Sequence, residues 1–206
     1  MTSVLSSAPS SLRQYWAALR VLLVLTVVLG VLYPLAVMGV AQLGLRQQAN
    51  GSTVSSQGSV VGSSLIGQNF TDAKGNPLPQ WFQPRPSAAG DGYDPTSSSA
   101  SNLGPNNSDL LKEVQDRRAA AAALDGVDPA SVPPDAVTAS GSGLDPDISP
   151  AYAYEQVDRV AKARGLDPSQ VTALVDSHVH GRDLGILGES TVNVLELNLA
   201  LQNLTG

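Results

Sequence analysis

Between Arg20 and Arg46 the chain carries no formal charge, and residues 21–45 are apolar almost without interruption. Fifteen of these 25 residues are Leu or Val. As a helix the run is about 37 Å long, enough to cross a hydrocarbon core of roughly 30 Å. Its Leu and Val residues together favour insertion by roughly 4 to 9 kcal/mol before the Gly and Gln costs. Pro34 and the glycines Gly30, Gly39 and Gly44 would weaken a helix in water but are tolerated in lipid. The pattern predicts a transmembrane helix over about 21–45. A cleaved signal peptide is the competing reading, because Gly39, Val40 and Ala41 offer small residues before Gln42. The apolar run exceeds the usual length of such a leader's core, which argues for an uncleaved anchor. Arg13 and Arg20 flank its N-terminal end against Arg46 alone on the far side. That asymmetry places the N-terminus in the cytoplasm and residues 46–206 outside. Tyr15 and Trp16 suit the headgroup level on the cytoplasmic side.

After the anchor the hydrophobic periodicity becomes short and interrupted. Residues 1–12 read as a disordered tail, 13–45 as the anchor, 46–62 as a Gly/Ser/Gln-rich linker with one weak strand near Val54, and 63–206 as a single domain. A short strand or two at a tight turn is predicted over 60–70, and an edge strand over 81–87 that two prolines stop. Residues 87–107 predict a long ordered loop. Ser108 is placed as the cap of a helix to about Leu124, with Leu110, Leu111, Val114, Ala121 and Leu124 facing inward. Glu113 and Arg117 stand four apart on it. A brief strand is expected over 136–138. Ser149 and Pro150 open the next helix and Gly165 ends it, while Asp167 with Gln170 forms a capping box for a helix to about His180 that Gly181 closes. A short strand over 184–187 and a terminal helix over 192–202 complete the reading. The fold class is α+β: one N-terminal transmembrane helix, then a small extracytoplasmic domain of about four helices and a few short strands.

Composition narrows the function. The 206 residues contain no cysteine, which removes disulfide and thiol chemistry. A net charge of −6 leaves no basic stripe for nucleic acid. Sparse aromatics, 4%, with abundant Gly and Pro predict a turn-rich domain with a small core.

Chemical motifs are few. No lysine follows a Gly-rich turn as a phosphate loop requires. Asp176, His178 and His180 are two apart, so on a helix they diverge and make a poor metal site. The run Ser140-Gly141-Ser142-Gly143 could approach a ligand, although a turn requiring positive φ explains it as well. Asp94, Asp109, Asp145 and Asp147 precede prolines or open helices, so capping explains them first. Uncharged Asn102, Thr138, Ser140 and Ser142 in the long loops are the best candidates for contacting a ligand or partner. No catalytic residues and no metal ligands are assigned.

Several ordered motifs remain. The longest is residues 137–150, Val-Thr-Ala-Ser-Gly-Ser-Gly-Leu-Asp-Pro-Asp-Ile-Ser-Pro, followed by 156–166, Gln-Val-Asp-Arg-Val-Ala-Lys-Ala-Arg-Gly-Leu. Others are 64–68 (Ser-Leu-Ile-Gly-Gln), 81–87 (Trp-Phe-Gln-Pro-Arg-Pro-Ser), 101–105 (Ser-Asn-Leu-Gly-Pro), Gly181-Arg182 and 192–198 (Val-Asn-Val-Leu-Glu-Leu-Asn). Together they resemble the KdpC family, the C subunits of Kdp-type potassium-transporting ATPases, over nearly the whole chain. Two positions depart from the family's usual pattern: Asp147 stands where His is common, and Trp81 where Tyr is usual. The first argues against an essential imidazole at that point. The resemblance implies a non-catalytic subunit in a bacterial plasma membrane, within a complex that imports K⁺ at the expense of ATP. Its implied partners are a channel-like potassium-binding subunit, a P-type ATPase subunit, a small hydrophobic peptide subunit and membrane lipid. It also implies a catalytic chaperone that raises the ATPase subunit's affinity for ATP, with ATP the one cofactor in question. If residues 46–206 lie outside, they do not meet cytoplasmic ATP, and nucleotide would act through the complex. Arg164 and Arg182, inside matched motifs, join the candidate contact residues, and Gly30, Gly39 and Gly44 are candidates for packing against another membrane helix. The outer domain could instead cap the ion entrance of the channel subunit. An anchored extracytoplasmic binding protein or hydrolase is the alternative from a different class.

Overall fold

The computed structural model describes residues 10–204. They form two compact units, one ending at Gly51 and one beginning at Ser52.

The first unit is a rod. Helix α1 (Ser10–Val27) passes through a π-helical turn (Val28–Leu32) into α2 (Tyr33–Gly44), and a short α3 (Arg46–Ala49) follows. The π turn has a local cause. Pro34 has no N–H and its ring would strike the carbonyl four residues earlier, that of Gly30. Widening the turn, with Tyr33 N–H donating to Val28 O, relieves that conflict without breaking the helix. The stretch Leu12–Gly44 is a helix of 33 residues, and among the described residues none of its most apolar part is buried. It therefore begins before residue 21, and Ser10–Leu12, expected in the disordered tail, are helical. Residues 1–9 lie outside the described residues.

The second unit begins with a hairpin where the sequence predicts a linker with one weak strand near Val54 and a further short strand from residue 60. Strands β1 (Thr53–Ser56) and β2 (Ser59–Ser63) pair antiparallel with a bulge after Val54. Gln57 and Gly58 both have positive φ, 49° and 81°, which matches the twist a two-residue hairpin turn demands. A long irregular stretch leads to α4 (Ser108–Asp125), a 3₁₀ turn (Pro134–Ala136) and β3 (Asp147–Ile148). Then come α5 (Pro150–Glu155), α6 (Val157–Arg164), α7 (Pro168–Ser177), β4 (Val179–His180), β5 (Thr191–Asn193) and α8 (Val194–Leu204). Helices α5 and α6 abut at Gln156. Strands β3 and β4 flank β5, both antiparallel to it. The core gathers Phe82, Ile148, Tyr152, Val160, Val171, Val175, Val192, Leu197 and Leu201. The fold is α+β.

Helix ends follow local chemistry. Ser149 accepts from Tyr152 N–H with Pro150 in the first turn, Asp167 and Gln170 complete a capping box, and Gly165 ends α6 at φ 67°. The cap of α4 is Asn107, not Ser108: its side chain accepts from the N–H groups of Asp109 and Leu110. On that helix Leu111 is exposed rather than inward.

Three strand predictions fail, each for its own reason. Residues 136–138 close a 3₁₀ turn, because Pro134 presets φ and Thr138 Oγ1 donates back to Pro134 O. Residues 184–187 form an exposed loop, and α7 stops at Ser177 so that Val179 and His180 can pair with β5. Residues 81–87 are extended but join no sheet, since side chains occupy the positions that a neighbouring strand would take. Asn198 accepts from Phe82 N–H and donates to Phe82 O, both at 2.9 Å. Gln156 does the same for Gln83, at 2.6 and 3.1 Å. Two fully buried amides thus imitate a β partner, and every backbone polar group of Phe82 and Gln83 is satisfied.

Candidate functional site

The long loop and the Ser/Gly loop are bound to each other. Ser142 O accepts from Ser99 N–H (3.0 Å) and from Ser98 Oγ (2.9 Å), and Gly143 O accepts from Ser87 Oγ (2.6 Å). Gly143 sits at φ 67°, and a Cβ there would lie 2.6 Å from Ser99 O and 2.8 Å from Ala89 N. Glycine here serves a close crossing of two backbones. Ser140 is buried, its hydroxyl 3.4 Å from that of Ser142. Asn102, exposed at φ 52°, donates to Ala100 O.

Beside this crossing lies a groove of about 590 Å³ lined by Arg85, Asp135, Thr138, Asp145, Asp147 and Glu189 among others. Arg85 organises it. Its guanidinium pairs with Asp145 at 2.8 Å and donates to Thr138 O, while its own carbonyl accepts from Tyr93 Oη. Burial, with the Asp145 charge adding, pushes the Tyr93 hydroxyl well up, so it stays protonated as a donor. Asp135 is committed to Ser149, accepting from its N–H at 2.6 Å and its hydroxyl at 2.9 Å. Asp147 is half-buried; that burial, followed by the neighbouring Asp145 charge, raises its pKa.

A buried polar chain underlies the Phe82 clamp. Arg159 bonds Asp125 at 2.6 Å, with side-chain exposures of 5% and 1%, and also donates to Gln156 Oε1 and to the carbonyls of Pro79 and Trp81. Burial pushes the Asp125 carboxyl up and Arg159 opposes it only partly. No periodic signal in the sequence marks these residues, because each pairs across the fold with a distant segment.

The structure divides the predicted contact residues. Thr138, Ser140 and Ser142 come together at the groove and loop crossing. Arg164 donates to Gln80 O at 2.7 Å and stacks 4.2 Å over the Trp81 ring. Arg182 pairs with Glu189 at 2.7 Å on an exposed loop. A Cβ at Gly39 or Gly44 would meet nothing within 4 Å, and at Gly30 only Thr26 Cγ2. On an ideal helix Gly39 falls about 180° from Gly30, whereas Gly44 falls about 40° from it. Among the described residues no three His, Asp or Glu side chains converge as a metal site.

A rod long and apolar enough to span a membrane, joined to a small body whose polar loops bind one another, defines a membrane-associated subunit. The KdpC family model, described as K⁺-transporting ATPase, c chain, matches residues 15–203. The chain is 60% identical over 192 residues to a potassium-transporting ATPase KdpC subunit of Kineococcus radiotolerans, covering 93% of this chain and 94% of that one. It is 50% identical to the KdpC subunit of Streptomyces avermitilis, with 97% of each covered, and 53% identical to that of Mycobacterium tuberculosis, covering 93% of this chain and 99% of the other. The chain belongs to the KdpC family and is an accessory component of a potassium-transport complex.

Proposed function

We propose that this chain assembles and stabilises an ATP-driven potassium uptake complex of the bacterial plasma membrane, joining a channel-like potassium-binding subunit to a P-type ATPase subunit. The observation that carries the reading is the helix Leu12–Gly44, whose most apolar stretch is exposed along its length among the described residues. Lipid and neighbouring membrane helices are the surroundings that satisfy such a surface, and they fix the body beside the pump. A small hydrophobic peptide subunit is a further neighbour. Arg13 and Arg20 favour an N-terminus in the cytoplasm and a body outside. In that topology the chain raises the ATPase subunit's affinity for ATP through membrane contacts, not by holding nucleotide itself.

The test is purification of the complex from cells with and without this chain. The expected result is recovery of the pump subunits with the tagged chain, and a higher KM for ATP in complexes that lack it. Equal assembly and an equal KM without the chain would overturn the proposal. Protease added outside spheroplasts should digest residues 52–204; their protection would reverse the topology.

A further inference from the structure

Between β4 and β5, residues 181–190 form a loop closed by its own hydrogen bonds, with an apolar tip. Asp183 and Leu187 exchange backbone hydrogen bonds at 2.9 Å each way, Gly185 N–H donates to Arg182 O, and Ile186 N–H donates to Asp183 O. The Arg182–Glu189 ion pair closes the base. The tip exposes Leu184 (89%), Ile186 (76%) and Leu187 (57%). Single exposed apolar residues are ordinary, but three within four positions of one loop are a concentrated apolar surface. Leu184 also holds φ 53°, in the left-handed region that leucine rarely adopts. That conformation costs energy, and within the chain no burial offsets it.

Charge narrows what covers the tip. From Ser52 onward the chain has nine Lys or Arg against eighteen Asp or Glu, a formal charge of −9. A second copy of the same body is repelled, and so is an anionic lipid surface. The tip also has no Trp, no Tyr and no uncommitted cation, the groups that favour a membrane interface, because Arg182 is neutralised by Glu189. We infer that the 181–190 loop is a docking finger, with Leu184, Ile186 and Leu187 seated in an apolar, neutral or basic socket on another protein subunit of the potassium-transport complex. This rests on the subunit role proposed above. The backbone cost at Leu184 is then met by burial on assembly, and the finger binds without first having to order itself.

The experiment uses the full complex, purified through a tag on this chain, with a photoreactive phenylalanine analogue at position 186. Irradiation is expected to give an adduct with a pump subunit. An adduct only with lipid, only with a second copy of this chain, or with nothing overturns the finger while co-purifying pump subunits leave the parent reading intact. Absence of pump subunits before irradiation defeats both. The L184G/I186S variant separates docking from folding, since Gly relieves the positive φ and both side chains are exposed. Its thermal midpoint as free chain should hold or rise, while its retention in the complex falls about tenfold or more. Unchanged retention counts against the finger.

Discussion

The rod and the body solve the burial problem in opposite ways. The rod makes its backbone hydrogen bonds within itself apart from its ends and the turn at Pro34, and it leaves its aliphatic surface to its surroundings. The body has few apolar residues to bury and short strands to pair, so its centre relies on polar side chains. Asn198 and Gln156 act as a strand for Phe82 and Gln83, and Arg159 ties Asp125 to the same segment. The rod is therefore robust to substitution among apolar residues and intolerant of charge. The body is sensitive at a few buried polar atoms.

The sharpest test of this difference is loss of one member of the buried ion pair. Arg159→Ala leaves Asp125 buried without its partner and should destabilise the body by about 3 to 5 kcal/mol, read by urea denaturation of the detergent-solubilised chain. Placing a charge in the middle of the rod is next. Val31→Arg should cost about 2.5 to 3.5 kcal/mol of insertion and lower the membrane-bound fraction, whereas Val31→Leu should change nothing. Asn198→Leu keeps the branched shape and heavy-atom count but strands the Phe82 N–H and C=O, costing about 2 to 4 kcal/mol; a neutral result would show that the amide clamp is dispensable. A smaller effect is expected at Asp147, whose raised pKa gives a definite sign. Its contribution is fully present below the ordinary Asp value of 3.8 and is lost as pH rises through the raised value. Asp147→Asn should therefore stabilise the body at neutral pH, with the gain shrinking as pH is lowered toward 4. The smallest effect belongs to the exposed Lys112–Asp116 pair on α4, where Lys112→Ala should leave the thermal midpoint unmoved.

How much was legible follows from the range of each interaction. The apolar run at 21–45, the Ser149 and Asp167 caps and the αL glycine at 165 are written within a few neighbouring residues, and the structure agrees with each. Asn107 displaced Ser108 as a cap only because both are competent and adjacent. The candidate loop residues Thr138, Ser140 and Ser142 were found by composition, yet their role in a crossing with residues 87–99 was not, because no local signal pairs two irregular segments.

By itself the sequence determined the rod, the positions of most helices and the family to which the chain belongs, because periodicity, caps and motifs act over one or two turns. The tertiary structure alone decided where the 81–87 segment finds its hydrogen bonds, with partners 116 and 73 residues away for Phe82 and Gln83. It also decided that residues 184–187 project as an apolar tip instead of pairing as a strand. An amide or an aliphatic side chain looks the same in a sequence whether it faces core or solvent; only the folded chain brings, or withholds, its partner.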